Sequence, residues 1–284
     1  MRQERPLHEA LRGRARDFRP ANRRHGKRGR IDIWLASIEA ACPAPVLRHC
    51  REILTPQEID SCSVFQREAD RRRAIVSRAL LRETLSRYAP VRPEAWEFVP
   101  GTHGKPAIAA PAGLRLRFNL SHTGRLVACA VTLDDEIGVD LEDMARELEP
   151  LELAERVFSA EEIVALRALA PESQRRRFFE TWTLKEAYLK ARGLGFALDP
   201  RSAGFDLGEP NRVRAHFAPE AGDRADDWWF ALLATQPGHV LALAARNGRR
   251  PACVRTFLAT PGNTQARQIE PRLYAACLVP GPSP

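Results

Sequence analysis

Strand and helix signals fall in separate runs within each half of this chain, which predicts an α+β fold of two similar lobes. Two further observations agree. Neither the G-x-G-x-x-G nor the Walker A pattern of a doubly wound nucleotide-binding sheet occurs. A length of 284 residues is enough for two packed lobes with a substantial core.

The elements can be justified in order. Residues 31–37 alternate as a first strand, and residues 55–58 read as the cap and first turn of a helix. Residues 63–88 are mainly helical, most clearly over 74–85, and Trp96 and Phe98 mark a short strand before a turn at 101–106. Residues 116–120 and 126–133 are strands around a turn at 121–124, a suitable place for a phosphate-binding hydroxyl and imidazole. Residues 151–157 and 159–170 are helices, the second opened by a capping box from Ser159 to Glu162. Residues 174–192 form a long helix, free of Gly and Pro until Gly193, with apolar positions recurring at three and four. Gly193 and Gly195 end that helix and permit a turn. Short strands at 205–207, 213–217, 228–235 and 240–245 build a second sheet. The expected organisation is a leader at 1–30, lobes at 31–141 and 142–247, and a Pro/Arg-rich tail at 248–284, of which residues 257–258 and 273–278 can pack back on the body.

The formal charge of +8 is concentrated at one end. Residues 1–30 hold eleven Arg or Lys against three Asp or Glu, so the remainder sums to zero. A basic, apolar-poor leader of this kind reads as a disordered extension, for which a translation start placed too early is one ordinary origin. It lacks interleaved aromatics and any zinc-finger or helix-turn-helix pattern, so no specific nucleic-acid partner is expected. No stretch approaches 18 apolar residues and no secretion signal is visible, so neither a membrane span nor export is expected. Six cysteines, at 42, 50, 62, 129, 253 and 277, form no CxxC pair and read as reduced cytoplasmic thiols.

The chemistry lies in two segments. Over residues 137–142, Ile137, Val139 and Leu141 alternate with Asp140 and Glu142, so both carboxylates leave one strand face while the aliphatic chains pack behind. On the long helix, Trp182, Glu186 and Lys190 fall at i, i+4 and i+8, on one stripe that could face that strand. Three converging carboxylates require a countercharge, and a hard divalent cation such as Mg²⁺ suits oxygen donors completed by water and phosphate. Lys105, His122, Lys185 and Lys190 could hold further phosphate charge. The plain alternative is an exposed Glu186–Lys190 helix pair beside a strand end carrying Asp140 and Glu142.

Five segments in order carry a resemblance: Gly104-Lys105-Pro106, Asn119-Leu120-Ser121-His122, Gly138 to Glu142, Phe158 to Glu162, and Trp182 to Lys190. They match the Gly-Lys-Pro, Asn-x-Ser-His, Gly-(Ile/Val)-Asp-x-Glu, Phe-Ser-x-x-Glu and Trp-x-x-Lys-Glu-x-x-x-Lys pattern of the 4′-phosphopantetheinyl transferases. Over about residues 31–246 the chain resembles their larger, pseudo-dimeric type, represented by the surfactin-synthetase activator.

The resemblance implies two lobes in pseudo-twofold arrangement. It also implies Mg²⁺-dependent transfer of the phosphopantetheine arm of coenzyme A to a serine of an apo acyl, peptidyl or aryl carrier protein, with release of adenosine 3′,5′-bisphosphate. By the same resemblance Asp140, Glu142 and Glu186 bind Mg²⁺ with the pyrophosphate, and Lys190 is directed at the pyrophosphate. Lys105, Ser121 and His122 contact the nucleotide end, His122 at the 3′-phosphate. Arg78 helps hold the adenosine phosphate region, and Lys185 joins the coenzyme-binding set. Glu186 is the expected proton acceptor, with Lys185 the weaker choice. The expected enzyme is a cytoplasmic monomer. The competing class is a non-catalytic carrier-binding protein on a degenerate transferase fold.

Overall fold

The computed structural model describes residues 29–246, 251 and 253–277. The expected disordered leader lies outside the described residues up to position 28. The first half runs β1 (Arg30–Ser37), α1 (Ala44–Glu52), α2 (Pro56–Ser63), α3 (Glu68–Ser86), β2 (Glu97–Pro100), β3 (Pro106–Ala110), β4 (Leu116–His122) and β5 (Leu126–Leu133). The second runs β6 (Glu136–Asp143), α4 (Pro150–Val157), α5 (Ala160–Arg167), α6 (Pro171–Arg192), β7 (Ala203–Asp206), β8 (Arg214–Phe217), β9 (Trp228–Gln236) and β10 (His239–Arg246). β11 (Cys253–Leu258), β12 (Arg267–Ile269) and β13 (Arg272–Ala276) follow.

The same succession occurs twice: a strand, three helices, a two-stranded hairpin, then two strands. In space the first set orders β1-β5-β4 and the second β6-β10-β9, so the lobes share topology as well as composition. Details repeat too. Thr55 caps α2 with a capping box closed by Glu58, and Ser159 caps α5 with one closed by Glu162.

Strand alternation sorts the core into layers. Ile31, Ile33 and Leu35 of β1 and Leu126, Ala128 and Ala130 of β5 meet Ile137, Val139 and Leu141 of β6 and the inner faces of β9 and β10. The two sheets therefore pack face to face. On the outer face of the first sheet, Trp34, Val127 and Phe118 pack against Val76, Leu80 and Leu85 of α3. On that of the second, Phe230, Leu232 and Ala242 pack among Phe179, Leu184 and Tyr188 of α6. Burial of each larger side chain contributes roughly 1.5–3 kcal/mol.

Two boundaries differ from the sequence reading. The expected division after Leu141 falls inside β6, which pairs with β10 from Glu136 to Asp143 and so belongs wholly to the second sheet. β7 and β8 do not extend that sheet; they form a separate hairpin. The tail is part of both lobes. β11 runs parallel to β1, with Phe257 stacked on Trp34 at 4.5 Å, while β13 pairs with β9. All six cysteines are free, and no described helix is long and apolar enough to cross a membrane.

Candidate active site

The site forms where α6 lies on β6, and a glycine sets the separation. A Cβ on Gly138 would stand 1.9 Å from the Ala187 carbonyl oxygen and 2.5 Å from the Ala191 nitrogen, so the helix backbone touches the strand directly. This close approach carries the Trp182–Glu186–Lys190 stripe onto the acidic face of β6. Trp182 Nε1 donates to Glu142 Oε1 at 3.0 Å, and Lys190 Nζ donates to Asp140 Oδ1 at 2.5 Å.

Asp140 is buried, with its two oxygens in different states. Oδ1 accepts from Ser121 Oγ at 2.8 Å as well as from Lys190, whereas Oδ2 is buried without a partner. Glu186 Oε1 is likewise buried and unpartnered. Burial, then the Asp140 charge, raises the Glu186 carboxyl to about 7, against the opposing pull of Lys190. Burial and Asp140 also raise Glu142, which Arg146 partly offsets from 3.5 Å.

These residues suit a hard divalent cation. Two unsatisfied buried carboxylate oxygens are costly alone, and the disfavoured ionisation of Glu142 and Glu186 is what a cation would relieve. Asp140, Glu142 and Glu186 could hold it. Among the described residues no group of three acids, histidines or cysteines is placed to hold a metal ion by itself, so Mg²⁺ would depend on water and substrate phosphate oxygens beside these carboxylates. A pocket of about 250 Å³ opens here, lined by Gly104, Lys105, Leu120, Glu186, Lys190 and Gly193 among others.

The five other expected residues differ in their placement. His122 stands exposed at the end of β4; the protein crowding its ring, then the Arg73 charge, holds its imidazole below the usual value. Lys105 does not offer a free ammonium. It donates to Ile137 O at 3.0 Å and Ala191 O at 2.8 Å, and burial brings it down to about 8. It thereby caps the C-terminal end of α6. Arg78 turns to Ala74 O and Ser61 Oγ, and Arg73, one and a half turns earlier on α3 and paired with Asp70, exerts a larger cationic influence on His122 than Lys190 does.

Lys185 requires the clearest correction. Its side chain is fully buried on the far side of α6, 2.7 Å from Glu162 Oε2 and donating to Pro200 O and Ala203 O. It neither lines the pocket nor reaches the acids of β6, and this placement is at odds with both a coenzyme contact and a role as base. The first lobe explains why: buried Arg82 of α3 contacts Glu58 of the α2 capping box and donates to Pro93 O and Trp96 O. Lys185 is the second-lobe counterpart of a structural cation.

Ser121 also differs from expectation. Within β4, Ser121 and His122 point to opposite faces, because strand side chains alternate. The hydroxyl of Ser121 donates to Asp140 Oδ1 and accepts from Leu141 N at 3.2 Å and Lys190 Nζ at 3.0 Å. It has no capacity left for a nucleotide. Asn119, Arg73 and Arg146 were given no role by the sequence reading; period two along β4 was the one signal that could have set Asn119 and Ser121 on a common face.

Known proteins bear on this geometry. The family model described as 4′-phosphopantetheinyl transferase superfamily matches residues 136–244, and the one described as 4′-phosphopantetheinyl transferase, N-terminal, matches residues 44–134. The chain is 31% identical over 209 residues to slr0495 of Synechocystis sp., a protein also named for this transferase, covering 72% of this chain and 79% of the relative. It is 35% identical over 170 residues to the 4′-phosphopantetheinyl transferase HetI of Nostoc sp., covering 59% and 70%. With the 4′-phosphopantetheinyl transferase Sfp of Bacillus subtilis it is 29% identical over 194 residues, covering 68% and 82%. Both halves of the repeated fold, and the acids and lysine at their junction, thus fall within matched segments, and the chain belongs to the 4′-phosphopantetheinyl transferase superfamily.

Proposed function

We propose that this enzyme transfers the 4′-phosphopantetheine arm of coenzyme A to a serine hydroxyl of an apo acyl, peptidyl or aryl carrier protein, releasing adenosine 3′,5′-bisphosphate. The observation that carries the proposal is the pair of buried, unpartnered oxygens on Asp140 and Glu186 beside Lys190. Asp140, Glu142 and Glu186 would hold Mg²⁺. Bound there, the ion supplies Lewis acidity and charge neutralisation for the two phosphates.

The chain's own residues do the rest. The carrier serine oxygen bonds to the β-phosphorus, the bridging oxygen leaves with the adenosine bisphosphate, and the serine proton must go to a nearby base. Glu186 would receive it through one water within about 3 Å, since its buried Oε1 is the oxygen offered to the ion. Lys190 places a positive charge where negative charge develops, and its value rises once the carrier excludes water. Arg73 supplies positive charge and His122 a neutral imidazole, able to donate a hydrogen bond, at a rim suited to a 3′-phosphate. A non-catalytic carrier-binding protein is not favoured, because it would gain nothing from unsatisfied acids beside a lysine. The proposal includes a cytoplasmic monomer, since one chain supplies both lobes of the site.

Intact-mass measurement of apo carriers after incubation with the protein, coenzyme A and Mg²⁺ tests this. The expected result is a gain of one phosphopantetheine arm. Asp140→Ala and Glu186→Ala should each lower the rate by about 100-fold or more while leaving the circular dichroism spectrum unchanged. No mass gain on any class of carrier, or undiminished activity in either variant, would overturn it.

A further inference from the structure

We infer that Asn119 and Ser121 are positioning residues: a two-rung side-chain ladder that joins the lobes and turns the free oxygen of Asp140 into the site. The inference rests on the metal role proposed for Asp140 and assigns a function to the Asn-x-Ser spacing.

β4 and β6 are edge strands of different sheets, and they meet at the seam between the lobes. An edge strand presents alternate backbone N–H groups that need partners. On β6 these are Val139 and Leu141. Val139 N donates to Asn119 Oδ1 at 2.9 Å, and Leu141 N donates to Ser121 Oγ at 3.2 Å. The two acceptors are two residues apart on β4 and the two donors two apart on β6. Equal spacing locks the relative register, since a slip of one residue would mismatch both rungs.

Ser121 carries the lock into the chemistry. Its hydroxyl proton goes to Asp140 Oδ1, and its second lone pair takes Lys190 Nζ. One hydroxyl thereby connects β4, β6 and α6. With Oδ1 held by a hydroxyl and an ammonium, the carboxylate cannot rotate without breaking both contacts, and Oδ2 is the oxygen left for a ligand. Outer partners that orient a metal-binding carboxylate typically change metal affinity 10- to 100-fold when removed.

A positioning role and a nucleotide-contacting role predict different measurements on Ser121→Ala. Coenzyme A affinity is measured by calorimetry in EDTA, and Mg²⁺ is then titrated into the coenzyme-bound protein. The expected result is coenzyme A affinity within about twofold of wild type and Mg²⁺ affinity weakened about tenfold or more. Ser121→Thr, which keeps the hydroxyl, should restore Mg²⁺ affinity. If Ser121→Ala does not fold, Ser121→Thr is compared with Ser121→Cys, whose thiol is a weak donor. Unchanged Mg²⁺ affinity in the hydroxyl-free variant, or a loss confined to coenzyme A binding in EDTA, overturns the inference. Failure of the wild type to bind Mg²⁺ in the presence of coenzyme A would instead sink the metal assignment itself.

Discussion

Burial and the Asp140 charge lift the Glu186 carboxyl from 4.5 to about 7, so the folded chain holds this proton more tightly than the unfolded chain. The associated stability is present below about pH 4.5 and is lost as pH rises through 7. Without divalent cation, the melting temperature should therefore decline across that window, and Glu186→Gln should flatten the decline. With Glu186 as the proposed ligand, Mg²⁺ would bind its ionised form, so the thermal shift should be larger near pH 8 than near pH 5.5. Equal shifts at both pH values would show that Glu186 is not a ligand. His122 makes a separate prediction. Its loss should weaken coenzyme A binding about tenfold and remove the preference for coenzyme A over its 3′-dephospho form; retained wild-type preference would refute a 3′-phosphate contact.

At the scale of elements, the site depends on how closely α6 lies on β6. Gly138 permits backbone contact, Lys105 ties the helix end to Ile137 O, and Lys185 with Glu162 anchors the middle of the helix on its other side. Gly138→Ala must push the helix outward, because the obstructing atoms are backbone rather than flexible side chain. The expected cost is about 1–3 kcal/mol of stability, with transfer reduced more than tenfold as Glu186 and Lys190 withdraw from Asp140. Wild-type turnover in a variant of lowered stability would show that the separation has no catalytic consequence.

Across the described residues the lobes repeat one topology, but the first lobe does not repeat the open acid of the second. Glu83 follows Arg82 as Glu186 follows Lys185, yet Glu83 is occupied, by His49 Nε2 at 2.7 Å and by Gly262 N at 2.8 Å. The tail supplies that glycine. It also supplies Arg255, which grips buried Asp32 through two 2.8 Å contacts, while Tyr88 donates its hydroxyl to the same acid. Asp32→Ala should leave a part-buried arginine and tyrosine without their shared acceptor and cost about 1–3 kcal/mol in urea unfolding. Mg²⁺ affinity of the folded fraction should not change, because the strap lies on the first lobe away from the β4–β6 seam. A loss of affinity without loss of stability would mean that the strap acts on the site.

The repeated strand–helix grammar, the β6 acids on one face and the Trp182–Glu186–Lys190 stripe follow from local periodicity, two for a strand and 3.6 for a helix, and were legible in the amino-acid sequence alone. So were the capping boxes at Thr55 and Ser159, whose partners are three residues away. What periodicity cannot specify is which edge meets which. That β6 pairs entirely with β10, that the tail adds strands to both sheets, and that Asn119 and Ser121 face β6 while His122 faces α3 all depend on contacts between distant segments. The lysines show the same division. Lys185 and Lys190 are five apart, nearly one and a half turns, so one helix sends the first into the core onto Glu162 and the second onto Asp140. Charge and motif position are properties of the sequence, but whether a charge reaches a substrate or a buried carboxylate is decided by packing.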